Sequence, residues 1–416
     1  MDTITQLGKD LLPFSLTPGL GPVLTARLIE WCEGDLARAA AAGVSTLRHI
    51  PGFGRTRAQA VAEGLAAAGE RASKEIDAAH RLGVRIVAKG DAAYPELMAA
   101  LPDAPWVLYV RGTLDPAARD RYPVAIVGSR KCTAYGLEQA RTFGAAFARA
   151  GLTVVSGGAR GVDSSAHRGV LASGGRTIAV LGCGLAHCYP PENRDLFEAI
   201  ASQGAVVSEL ALETTPHADQ FPARNRIISG LSLGVVVIEA DERSGALITA
   251  RVAAEDHGRE VMALPGRVDS PSSRGTHSLI KSGGASLVSD PADVLSILEG
   301  PARHLHANTH ASRFRPMGGL AGGLAGGLAD GLTDGLADAM SGGRLGMARA
   351  PMTTGVVELT EVQRQIWDRL GGGGLTLDEL WESTGLDVGV LRRELMALEL
   401  GRRVRREGTR FAAVGC

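Results

Sequence analysis

Four arginines stand in loops made of glycine, serine and asparagine. Arg130 follows Gly128 and Ser129; Arg160 follows Ser156, Gly157, Gly158 and Ala159; Arg224 and Arg226 flank Asn225 in a segment opened by Phe221 and Pro222. A guanidinium is planar, permanently charged and presents five N–H donors, which matches the oxygens of a phosphate. Glycines let backbone N–H groups approach the same ligand, and hydroxyls such as those of Ser129 and Ser156 add donors. A further pair, Ser244 and Gly245, opens another helix in the same style. A single such arginine is ordinarily a surface or ion-paired residue. Four in neighbouring loops point to a polyphosphate or a nucleic-acid backbone as ligand. Asp163, next to the second loop, is expected to N-cap the helix that follows.

Equally informative is the chemistry that is missing. The first βα turn lacks the GxGxxG of a dinucleotide site, and no GxxxxGK[ST] loop of a nucleotide-driven motor occurs. His167, His187, His217, His257 and His277 are scattered, and Glu209, Asp241 and Glu242 form no acid–base pair. Cys183 and Cys188 beside His187 lack a second ligand pair, so a metal site is not expected. Neither catalytic residues nor a cofactor are expected.

The elements that must position the arginines are short apolar runs: Val124–Val127, Leu152–Val155, Ile178–Leu181, Val206–Val207, Val235–Ile238 and Val261–Leu264. They do not alternate with polar residues, which suits strands buried on both faces of a parallel sheet. Each precedes a segment of helical periodicity. The fold class is therefore α/β, a Rossmann-like doubly wound parallel sheet, whose ligand site lies outside the carboxyl ends of the strands. Those ends carry the glycines, serines and arginines.

A length of 416 residues implies several domains, and 45% hydrophobic residues suffice for a core. The net charge of −1 makes any nucleic-acid site a local one. Neither a signal pattern nor a membrane-length apolar run is present, so a cytoplasmic location is expected. Residues 1–75 read as helical, with two hairpin-like units around Gly19–Gly21 and Gly52–Gly54 that are similar to helix-hairpin-helix or SAM-like modules. Gly52, Gly54 and Arg55 are accessory phosphate candidates there. Residues 84–300 form the Rossmann-like domain, with a lead-in at Val84–Ala88, Pro95–Leu101 and Val107–Val110 that extends it. Residues 301–355, rich in Gly, Ala and Leu, read as a flexible linker. Residues 356–416 read as three helices and a ribbon turning at Glu407–Gly408, a winged-helix pattern with Thr376 as an N-cap. Arg392, Arg393, Arg403 and Arg405 would face phosphate if it binds DNA, although local acidic residues offset that charge.

Taken in order, GSR with Tyr135 and Gly136, SGGARGVD with His167, AVLGCG with YPPEN, Ser208–Glu209, FPARNRII, SGALITA, VMALPG and GTHSLI resemble the DNA-processing protein A family, also called Smf or DprA. The resemblance spans about Val84 to Pro291, and both end modules are similar to family add-ons. It implies a homodimer that binds single-stranded DNA, protects incoming strands during natural transformation, and loads the RecA recombinase, with single-strand-binding protein as a further candidate partner. It also implies that Arg130 and Arg160 contact phosphates and that Arg224 to Arg226 line the same groove. Aromatic residues are only 4% of the chain, and Phe221 and Tyr189 are the stacking candidates near the strand ends. The alternative is an enzyme of similar fold that releases the base from nucleoside monophosphates. That reading is weakened because PGRVDSPSSRGTHSL has no Glu after Gly-Thr.

Overall fold

The computed structural model describes residues 3–306 and, beyond them, 361–370, 374–386, 391, 395, 398, 404–407 and 410–413. The chain divides into two units, Met1–Leu336 and Ala337–Cys416.

The first unit is built on a nine-stranded sheet: β1 (Arg85–Ala88), β2 (Val107–Gly112), β3 (Pro123–Val127), β4 (Thr153–Ser156), β5 (Thr177–Val180), β6 (Ala205–Ser208), β7 (Gly234–Val237), β8 (Glu260–Ala263) and β9 (Ser286–Leu287). Their spatial order is β1-β2-β6-β5-β4-β3-β7-β8-β9. From β6 to β9 every pairing is parallel, and each residue of β3 to β7 is buried, as continuous apolar runs require. The lead-in extends this sheet: β2 pairs antiparallel with β6, and β1 antiparallel with β2.

Side chains alternate across the sheet with period two. Ile86, Ala88, Val107, Tyr109, Ala179, Leu181 and Val206 lie on one face, in one core with Leu11, Leu12, Phe14, Leu28, Leu47 and Val61 of the N-terminal helices. Val87, Leu108, Val110, Ile178, Val180, Ala205 and Val207 lie on the other, under the helix Gln220–Gly230. The helical segment thus shares the sheet's core, and its last helix, Ala68–Arg81, runs past residue 75. Its hairpins turn through left-handed glycines, Gly19 (φ 78°) and Gly52 (φ 98°), and the helices that follow are N-capped by Gly21 and Gly54. Each turn packs on the other hairpin's helix: Gly19 faces Val61, and Gly52 faces Leu24 and Arg27.

In the second unit, the helices Glu361–Leu370 and Leu377–Thr384 pack with β10 (Leu375–Thr376), β11 (Val404–Glu407) and β12 (Arg410–Ala413) around Ile366, Leu370, Leu380, Leu391, Leu395 and Leu398. Thr376 and Glu379 form a capping box, each side chain bonding the other's backbone N–H. Pro301, expected to begin the linker, continues the helix Pro291–His306 instead; 307–355 fall outside the described residues. Among the described residues no helix is long and apolar enough to cross a membrane.

Candidate functional site

From β3 the chain winds outward through β4, β5 and β6, then returns to place β7 on the other side of β3. The loops leaving β3 and β7 therefore part company and open a crevice between them. A cleft of about 610 Å³ fills that crevice. Gly128, Ser129, Arg130, Phe221, Arg224, Asn225, Ser244 and Gly245 line it, together with Lys131, Tyr189, Asp163 and Asp241.

The first loop is held rigidly. Ser129 donates its N–H to the Glu239 carbonyl at 2.7 Å, and its Oγ accepts from the Lys131 N–H at 3.1 Å. Gly128 is needed for close approach, since a Cβ there would lie 2.6 Å from a Val162 methyl. Arg130 and Lys131 remain exposed. The Arg130 guanidinium sits 4.9 Å from the Phe221 ring centre, and the Phe221 and Tyr189 rings lie 5.4 Å apart at 35°. The mouth of the cleft is thus a cation on an aromatic pair.

The second loop contributes less directly. Ser156 is fully buried and donates to the Ile126 carbonyl at 2.6 Å, so it ties β4 to β3 and is not offered to a ligand. Neither Ser156, Gly157, Gly158 nor Arg160 lines the cleft. The N-cap of the helix Val162–Ala172 is Gly161, where Asp163 was expected. Gly161 has φ 76° and ψ −125°, and a Cβ there would overlap the Ser129 carbonyl oxygen. Asp163 is buried in the first turn and accepts the Ala159 N–H at 3.2 Å. Burial raises its pKa against the opposing charge of Arg224. Arg160 is exposed and forms a two-pronged ion pair with Glu192, Nη2 to Oε2 at 3.1 Å and Nε to Oε1.

Arg224 and Arg226 do not share a groove. Two residues apart on a helix, they point about 200° from each other. Arg224 is 5% exposed beneath the cleft, its Nη1 donating to the carbonyls of Gly157, at 2.6 Å, and Val180. Burial pulls its pKa down to about 10, which leaves it charged at neutral pH. It is a structural cation in the cleft floor. Arg226 faces the other way, paired with Glu209 and, at 3.8 Å, with Asp103, and it lies outside the cleft. Asn225 donates to the Gly245 carbonyl at 3.3 Å and ties the two helices that flank the site. Ser244 caps the helix Gly245–Arg251 through the Ala246 N–H.

Gly52, Gly54 and Arg55 are exposed in the second hairpin, away from the cleft lining. Arg392, Arg393 and Arg403 lie outside the described residues, as does the side chain of Arg405. Lys131, which lines the cleft, and Gly161, which packs on the Ser129 carbonyl, go unmarked in the sequence, although both adjoin residues singled out there. Among the described residues no three His, Cys, Asp or Glu side chains converge as metal ligands would.

Residues 85–299 match the family described as DNA recombination-mediator protein A, and residues 350–408 match the DprA winged helix domain. Protein Smf of Synechocystis sp. is 39% identical over 285 residues, covering 67% of this chain and 70% of its own length. DNA processing protein DprA of Streptococcus pneumoniae is 42% identical over 210 residues, or 50% of this chain and 72% of that protein. The X-ray structure of DprA from the same organism superposes with a TM-score of 0.58 at 35% identity, covering 69% of this chain and 95% of that one.

Proposed function

We infer the function from one premise: this chain belongs to the DNA recombination-mediator protein A family. Its switch-point cleft binds single-stranded DNA through the sugar–phosphate backbone, nearly independently of sequence, and performs no chemistry on it. The observation that carries this reading is the exposed Arg130 seated on the Phe221–Tyr189 pair, with Lys131 beside it. Cations meet phosphates, while an aromatic face offers itself to any unpaired base. A duplex keeps its bases stacked on one another and cannot use that face. Gly128 and Ser129 shape the loop, Arg224 holds the floor, and Arg160 adds a phosphate contact at the rim. The family resemblance further supports a cytoplasmic homodimer that protects incoming strands and loads RecA onto them during natural transformation.

The test is a salt titration of the full chain with a single-stranded oligonucleotide and its duplex. For three neutralised phosphates, log affinity for the single strand should fall with log salt at a slope of about −2. A binding constant insensitive to salt, or equal preference for the duplex, overturns the reading.

The aromatic contribution separates from the ionic one. Phe221→Leu keeps apolar bulk against Gly182, where an added Cβ would lie 2.8 Å from the Phe221 ring, but removes the π face. Stacking is worth about 1–3 kcal/mol per base, so affinity should fall roughly five- to a hundredfold. The salt slope should not move, as fluorescence anisotropy at several salt concentrations would show.

A further inference from the structure

Arg160 is held by Glu192 in a geometry that the cleft itself does not require. The two residues come from different loops, 32 positions apart, and their side chains are joined directly. Glu192 lies in the short turn Pro191–Asn193, and the buried Asn193 donates to the Gly158 carbonyl at 2.9 Å and to Ser164 Oγ at 2.8 Å. Two residues on from Gly158, Arg160 precedes the left-handed Gly161. A rigid anchor therefore sets the two side chains side by side. Both chains are about half exposed, 54% and 49%, so neither is locked by packing. Glu192 chiefly raises the Arg160 pKa, with a smaller contribution from Tyr189, which lines the cleft. The Arg160–Glu192 pair thus stands beside Tyr189, just outside the cleft that Arg130, Phe221 and Tyr189 line.

We propose that Glu192 is an acidic latch on Arg160: its carboxylate occupies the guanidinium fork in the free protein, and a DNA phosphate must displace it to bind there. The proposal rests on the single-strand-binding reading above. A carboxylate and a phosphate present the same paired oxygens to the fork, so they are direct competitors. The pair is exposed and individually weak, which suits an interaction meant to be exchanged. Glu192 thereby lowers affinity for short or isolated strands and favours ligands with enough phosphates to pay the exchange. It is a specificity-determining residue, and Asn193, not Glu192, supplies the anchor between the two loops.

The test is a double-mutant cycle on the full chain, read by anisotropy with a single-stranded oligonucleotide and by thermal unfolding. Glu192→Gln in the native background should tighten binding about two- to fivefold, the scale of an exposed ion pair, and leave unfolding unchanged. In an Arg160→Ala background the same substitution should have no effect. Equal tightening in both backgrounds would mean simple repulsion between Glu192 and DNA and would overturn the latch. Unchanged or weaker binding by Glu192→Gln would also overturn it, showing that the carboxylate holds Arg160 in its binding position. If Arg160→Ala alone leaves affinity intact while Arg130→Ala abolishes it, the cleft reading survives and the latch falls. If neither arginine matters, the single-strand reading itself is wrong.

Discussion

Replacing both Arg130 and Arg160 with alanine is expected to weaken binding to a single-stranded oligonucleotide by about a hundredfold at low salt, the combined scale of two charge-assisted contacts. Most of that loss belongs to Arg130, which is exposed, makes no ion pair within 4 Å among the described residues and lies over Phe221. Arg160 must first leave Glu192, so its own contribution is smaller. Each lost phosphate contact should also flatten the log–log salt dependence by about 0.7, or about 1.4 for the pair. Duplex binding should fall much less, because it does not use the aromatic face. Equal loss on both ligands would identify a general basic surface instead of a cleft. Neither substitution should lower thermal stability, since both side chains are exposed.

The second large effect is on the scaffold. Gly161→Ala should destabilise the protein and reduce single-strand binding at least tenfold even where the fold persists. At φ 76° and ψ −125° the backbone is in a region that side chains rarely adopt, a strain of about 1–3 kcal/mol. The new methyl group would also collide with the carbonyls of Ser129 and Arg130. Relief requires the Ser129–Lys131 loop to move away from the helix Val162–Ala172, which breaks the Val162 N–H bond to the Ser129 carbonyl at 3.3 Å. That movement displaces Arg130 from the Phe221 ring. A fall in Tm of roughly 5 °C or more is expected by calorimetry. Gly174→Ala is the control: φ is 70° there, but nothing lies within 4 Å of the added methyl, so only the smaller backbone cost should appear. Similar effects at both sites would remove the special role given to the loop junction.

Gly128 and Gly161 are both sites where an added Cβ would collide with a neighbouring segment. Both occur in glycine-rich strand-to-helix turns, and composition treats them alike. What separates them is the path of a distant loop. The Ser129 carbonyl reaches Gly161 only because β3 and β4 are neighbours in the sheet. The same limit applies to Asp163. As an acidic residue near a helix start it satisfied the rule for an N-cap. The N-cap falls two residues earlier, at Gly161, and the carboxylate goes inward to the Ala159 N–H.

Single-residue and short-range patterns by themselves determined a great deal here: the strands, because runs such as Val124–Val127 and Val235–Ile238 are apolar without alternation, which suits burial on both faces of a parallel sheet; the α/β class, because those runs alternate with helices; and the location of the cleft, because strand ends are where a doubly wound sheet exposes loops. Thr376 as a helix cap also follows locally, since its bonds are made within three residues. Only the tertiary structure decided which arginines stay exposed and which are buried or turned away from the cleft. Arg130, Arg160, Arg224 and Arg226 are indistinguishable as letters in glycine-rich loops. Their fates diverge because of what folds against each one: an aromatic ring under Arg130, Glu192 beside Arg160, the carbonyls of Gly157 and Val180 around Arg224, and Glu209 and Asp103 behind Arg226. A guanidinium is claimed by the nearest acceptors, and those acceptors are brought by residues tens of positions away in the chain.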